Sequence, residues 1–174
     1  MTGWTPYQEF IFKRSYARWL PDLNRREDWI ETVDRYAEYF APKVPRNLDG
    51  EFDLAMDHVY EREVMPSMRA LWSAGPALDN DHIAGYNCAY TSIDSVKSFS
   101  EILYILMNGA GVGFSTERQY INQLPEVPAV IQPQTDMTWQ VQDSKMGWAE
   151  AYDVLLTGLY QGYIMPINLD LIRP

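Results

Sequence analysis

Cys88 is the sole cysteine among the 174 residues of the chain. It stands in a short run, Ile83 to Thr91, whose aromatic and small residues read as a buried strand. A glycine-rich run, Gly109-Ala110-Gly111-Val112-Gly113-Phe114-Ser115, follows after an apolar helical stretch and reads as a second strand with bare backbone. A lone thiol beside bare backbone is a place where a small molecule can lie against the main chain. Disulfide exchange needs a second thiol, which the chain lacks. Hydrolysis by a Cys/His pair needs a close histidine and a residue to orient it; His82 is the nearest upstream, and nothing marks an orienting residue. Two readings of Cys88 stay open: a redox thiol facing a pocket, or a small buried hydrophobe, as free cysteine often is.

The glycines do not fit a dinucleotide loop. They follow a helix and lie within a strand, whereas a phosphate fingerprint follows a strand and opens a helix. Their alternatives are tight strand packing or a main-chain wall against a sugar. Asp94, with Ser95, reads as a helix cap, or as a carboxylate accepting from a ribose hydroxyl. Arg118, with Lys97, is a solvated surface group or a phosphate contact. His58, His82 and Cys88 are too scattered for a metal site.

The elements that must hold these residues can be read from periodicity. Residues 1–20 suggest a short extended piece or a ragged helix. Asn24 followed by Glu27 predicts a cap, and apolar positions from Trp29 to Phe40 predict a one-sided helix stopped by Pro42 and Pro45. A second helix is expected over 50–64, capped by Asp49. After a compact approach over 67–76, the Cys88 strand, a helix running from Asp94-Ser95 to Asn108-Gly109, and the glycine strand make a parallel β-α-β crossover. Four prolines break 122–133 into loop. A short strand or an arm is expected over 138–141, a last helix capped by Asp143-Ser144 and closed by Gly162 and Pro166, and a further strand over 167–172. The layout is α/β: a helical amino-terminal region over 1–65, then strands and helices over 66–174 that leave a sheet edge open.

The bulk figures agree with a folded chain. Apolar residues make up 47% and aromatics 14%, enough for a real core. A net charge of -10 argues against a nucleic-acid binder, which needs a basic face. No apolar run approaches the roughly eighteen residues of a membrane span. No cationic-then-apolar leader opens the chain, so a cytoplasmic protein is expected.

Several blocks together resemble one family. The runs 65–76 (MPSMRALWSAGP), 82–90 (HIAGYNCAY), 109–120 (GAGVGFSTERQY) and 124–128 (LPEVP), supported by 12–18, 143–148 and 172–174, strongly resemble ribonucleotide reductase. The closest group is the adenosylcobalamin-dependent (class II) catalytic subunit, in its amino-terminal part. The resemblance implies a helical cap and the first part of a ten-stranded α/β barrel, incomplete in this chain. It implies reduction of ribonucleotides to deoxyribonucleotides by a thiyl-radical route, with adenosylcobalamin bound mainly by parts outside this chain. Cys88 matches one cysteine of the pair that becomes a disulfide. Asn87 and Gly111 match substrate contacts, and Ala70 falls near a substrate position that carries threonine in other classes. Asp94 matches the aspartate that holds the ribose of the deoxynucleotide effector, with Ser95 beside it, and Arg118 lies in the loop region that follows. The implied partners are the ribonucleotide, a dNTP effector, the carboxyl-terminal half of the reductase and a dithiol reductant such as thioredoxin. The radical cysteine and the second redox cysteine do not occur in these residues, so the expected enzyme needs that half. The competing expectation is a non-catalytic nucleotide-binding or interaction fragment that kept the fold.

Overall fold

The structure is a computed structural model that describes residues 3–174. Its contacts divide the chain into two compact units, one ending at Tyr86 and the other running from Asn87 to Pro174.

The first unit is mainly helical. Helix α1 spans Pro6–Ser15 and is a regular helix rather than an extended piece. Thr5 Oγ1 accepts from the Gln8 amide at 3.3 Å while Gln8 Oε1 accepts from the Thr5 amide at 2.9 Å. This reciprocal cap, with Pro6 in the first turn, fixes where the helix starts. Strands β1 (Trp19–Leu20) and β2 (Arg25–Arg26) pair antiparallel. The next helix, α2, spans Trp29–Phe40. Its cap is Asp28 with Glu31 reaching back at 2.8 Å, four residues after the expected Asn24 and Glu27. Asn24 instead takes a left-handed φ of 49° at the end of a short 3-10 turn, a conformation that asparagine tolerates well. Glu27 is thereby released into the interior.

Helix α3 spans Asp49–Tyr60 with Leu48 at its cap position, where no side chain bonds, so Asp49 is its first residue rather than its cap. It stops short of Val64 because Arg62 adopts a left-handed φ of 64°. The compact approach resolves into helices α4 (Met68–Ser73) and α5 (Pro76–Asn80). Phe12, Ala17, Trp29, Val33, Met56, Val59 and Leu71 form the core. Trp4, Phe12 and Trp29 meet there with ring centroids 5.4 to 5.8 Å apart, the spacing at which aromatic pairs attract.

In the second unit, strand β3 covers Cys88–Ser92, helix α6 Lys97–Met107 and strand β4 Gly111–Ser115. β3 begins five residues later than Ile83, because 82–85 forms a 3-10 turn. β3 and β4 pair in parallel, as the strand-helix-strand pattern predicts. Val96 occupies the cap position of α6 without a side-chain bond, so Asp94 and Ser95 do not cap it in the expected way. Asn108 and Gly109 end it, the glycine at φ 82°.

Helix α7 (Arg118–Ile121) leads into the proline loop. Two further parallel pairs follow. β5 (Gln132–Pro133) pairs with β7 (Tyr163–Ile164), and β6 (Trp139–Gln140) with β8 (Ile167–Asn168). Between them helix α8 spans Lys145–Gln161, capped by Ser144 and closed by Gly162 at φ 86°. β8 is shorter than the strand expected over 167–172. Helices α6 and α8 are tied by Ser100 Oγ donating to Asp153 at 2.9 Å and by Lys145 Nζ donating to Asn108. The fold is α/β, and each sheet among the described residues has two strands.

Candidate active site on the β3–β4 face

The parallel register sets Cys88 opposite Gly111, Tyr90 opposite Gly113 and Ser92 opposite Ser115. Side chains alternate across a strand, so these six residues share one face of the sheet. That face is open: Cys88, Tyr90, Gly111 and Gly113 are all exposed. Nothing among the described residues buries Cys88 as a small hydrophobe, because its strand lies uncovered on that side. On the opposite face Phe114 helps line an apolar groove of about 410 Å³ with Ile93, Phe99 and Leu103.

The thiol stands at the first residue of β3. Just before it, the Asn87 carbonyl accepts from the Gly111 amide at 2.8 Å. Cys88, Asn87 and Gly111 are thus brought together at one end of the ladder. The glycines there are not demanded from within. A Cβ added to Gly111 would come no nearer than 3.8 Å to the Asn87 carbonyl oxygen, and one on Gly113 would sit 3.7 Å from Tyr90 Cδ2, both ordinary contact distances. Neither glycine has a positive φ. Gly147 is the contrast, where a Cβ would meet the Gln142 carbonyl at 2.2 Å. Two strand glycines that neither packing nor backbone conformation requires leave main chain bare on this face.

At the other end of β3, Asp94 gathers hydroxyls. Ser92 Oγ donates to Asp94 Oδ2 at 2.9 Å, Ser98 Oγ to Oδ1 at 3.3 Å, and Ser95 Oγ lies 3.0 Å from Ser98 Oγ. A carboxylate oriented in this way still has free lone pairs for further donors. Arg118, the exposed first residue of α7, sits in the segment after β4, and Lys97 pairs with Glu101 at 3.9 Å on the surface. Ala70 belongs to α4 in the first unit, where it lines a cavity of about 300 Å³ with Tyr39, Phe40, Lys43 and Tyr86. The sequence reading missed Tyr90, Ser92 and Ser98. Period-two counting from Cys88 would have found the first two. Among the described residues no three or more His, Cys, Asp or Glu gather to hold a metal ion, and no helix is long and apolar enough to cross a membrane.

The chain is similar in sequence and in fold to reductases of ribonucleotides. The family model described as ribonucleotide reductase alpha domain matches residues 2–76. An adenosylcobalamin-dependent ribonucleoside-triphosphate reductase of Lactobacillus helveticus is 36% identical over 157 residues, covering 72% of this chain and 20% of that protein. The enzyme of the same description from Lactobacillus delbrueckii subsp. bulgaricus is 32% identical over 185 residues, covering 87% of this chain and 23% of its own length. The crystal structure of a B-12-dependent (class II) ribonucleotide reductase superposes with a TM-score of 0.78 at 25% identity, over 95% of this chain and 32% of the other. The chain is therefore related, in sequence and in fold, to the amino-terminal part of the B-12-dependent ribonucleotide reductases. It spans about a fifth of the length of the curated relatives it matches.

Proposed function

We propose that this chain is the amino-terminal part of a ribonucleotide reductase that makes 2′-deoxyribonucleotides by a thiyl-radical route. In this reading residues 1–65 are the helical cap, and 66–174 supply the first strands and helices of a ten-stranded α/β barrel. A further polypeptide segment provides the remaining strands and the radical cysteine. The supporting observation is the open β3–β4 face, where an exposed thiol stands in register with a glycine that nothing inside the chain requires.

Cys88 is one of two thiols that deliver two electrons and two protons to the ribose. The 2′-hydroxyl leaves as water, and Cys88 closes a disulfide with its partner thiol from the missing segment. A dithiol protein such as thioredoxin then reduces that disulfide. Asn87 and the Gly111 backbone contact the substrate, while Ala70 offers only main chain and a methyl group at its position. Asp94 and Ser95 hold the ribose of a deoxynucleotide effector, whose phosphates Arg118 meets. Adenosylcobalamin, bound mainly outside these residues, supplies the radical. The working compartment is the cytoplasm.

The test combines this chain with the segment that completes the barrel, adenosylcobalamin, a ribonucleoside triphosphate or diphosphate and a dithiol, and measures deoxyribonucleotide formed. Turnover is expected, and Cys88→Ser should abolish it. A complex in which Cys88→Ser leaves turnover unchanged would overturn the role of the thiol. Tight deoxynucleotide binding by the chain alone, with no turnover in any combination, would favour a non-catalytic module.

A further inference from the structure

We propose that Tyr90 is the aromatic wall of the nucleotide pocket, stacking on the base of the ribonucleotide whose sugar lies at Cys88. This rests on the reading of the β3–β4 face given above and extends it to how the base is held. The pleat turns Cys88 and Tyr90 to the same side, opposite Gly111 and Gly113. Two residues along a strand advance about 7 Å, a span that a nucleoside covers from sugar to base. Tyr90 is the one large side chain on a face otherwise made of glycine, serine and cysteine, and the residue is 69% exposed. A Cβ on Gly113 would rest 3.7 Å from Tyr90 Cδ2, so the ring itself does not need a glycine opposite. The ring lies beside the bare Gly113 backbone, and its exposed side is open to a flat group. Every nucleobase offers a π-face, so a stacking wall takes all four alike. That suits a reductase whose substrates share a sugar and differ in base.

The experiment uses the reconstituted complex described above. Tyr90→Ala should raise KM by roughly ten-fold for each of the four ribonucleotides, the size of effect that losing one base stack gives. It should leave kcat within about two-fold, because stacking holds ground state and transition state alike. Tyr90→Phe keeps the ring and should restore the wild-type KM. Unchanged KM in Tyr90→Ala overturns the proposal, as does a Phe variant as poor as the Ala variant, or an effect confined to one base. Cys88→Ser separates the two levels. If it abolishes turnover while Tyr90→Ala leaves KM unchanged, only the base wall is wrong. If it leaves turnover intact, the reading of the whole face falls.

Discussion

The two units of the chain treat their polar groups in opposite ways. In the first, Glu27 is buried and fully met: Arg35 donates from Nε at 2.7 Å and Nη2 at 2.9 Å, Thr32 Oγ1 at 3.0 Å and the Arg18 amide at 3.1 Å. Arg35 Nη1 goes on to the carbonyls of Leu71 and Ala74, which ties α2 to the segment around α4. In the second unit the open face of β3–β4 shows solvent a thiol, a tyrosine and two bare glycines. Satisfied interior charge fixes a shape, whereas an uncovered face of small groups leaves a thiol and main chain accessible.

The largest effect expected from breaking that contrast lies at Glu27. Glu27→Ala leaves the Arg35 guanidinium without its carboxylate in a mostly buried site, a change that typically costs about 3–5 kcal/mol. Urea unfolding followed by tryptophan fluorescence checks it, and a loss under about 1 kcal/mol would mean that water replaces the carboxylate freely. Burial alone would push the Glu27 carboxyl up, but the Arg35, Arg18 and Thr32 hydrogen bonds outweigh it and hold it below the ordinary range. Its folded value is depressed, so its stabilisation is present above the unfolded value of 4.5 and lost as pH falls through the folded one. Acid titration of Glu27→Gln should lack that part of the acid transition.

Next in size is a glycine of the second unit that packing does demand. Gly147→Ala drives a methyl into the Gln142 backbone, and overpacking of this kind costs about 1–3 kcal/mol. A lowered thermal midpoint, read by circular dichroism, is the expected result. A smaller effect returns to the first unit at high pH. Burial, with the hydrogen bond to Asp34 at 2.6 Å, pushes the Tyr60 phenol up to about 12. A raised folded value means that this contribution is intact below pH 10 and lost between 10 and 12. Tyr60→Phe should flatten the alkaline limb of the stability curve over that window.

How much of this was legible in the residues follows from which forces are local. The parallel β-α-β unit, the Asn108-Gly109 stop and the Ser144 cap were readable because periodicity and end residues act within a few positions. The cap of α2 was misplaced by four residues because Asn24 and Asp28 offer the same chemistry. What separates them is the burial of Glu27 against Arg35, a contact that periodicity does not reveal. That the Cys88 strand and the glycine strand are neighbours was suggested by two strands and a helix, but which residues face each other depends on the register between those strands. The exposure of Cys88 was out of reach for a different reason. Residues 83–91 have the composition of a buried strand, and composition describes the face a strand can cover, not whether the chain supplies the cover.

The smallest stability effect tests the contrast most sharply. Gly111→Ala and Gly113→Ala should change stability by no more than about 0.5 kcal/mol, since each methyl meets its neighbours at ordinary contact distance in an extended strand. If they fold and melt like the parent, the two glycines are not there for the chain's own packing, unlike Gly147. On the proposed reading the same Gly111 methyl would stand against the substrate, and in the reconstituted complex KM should rise sharply while the melting point stays put. A Gly111→Ala chain that loses stability would make the glycine a packing residue and remove the main support for a ligand on this face. A chain that keeps both its stability and its KM would leave the bare backbone without a use, and the open face would then be better explained by strands that close over it.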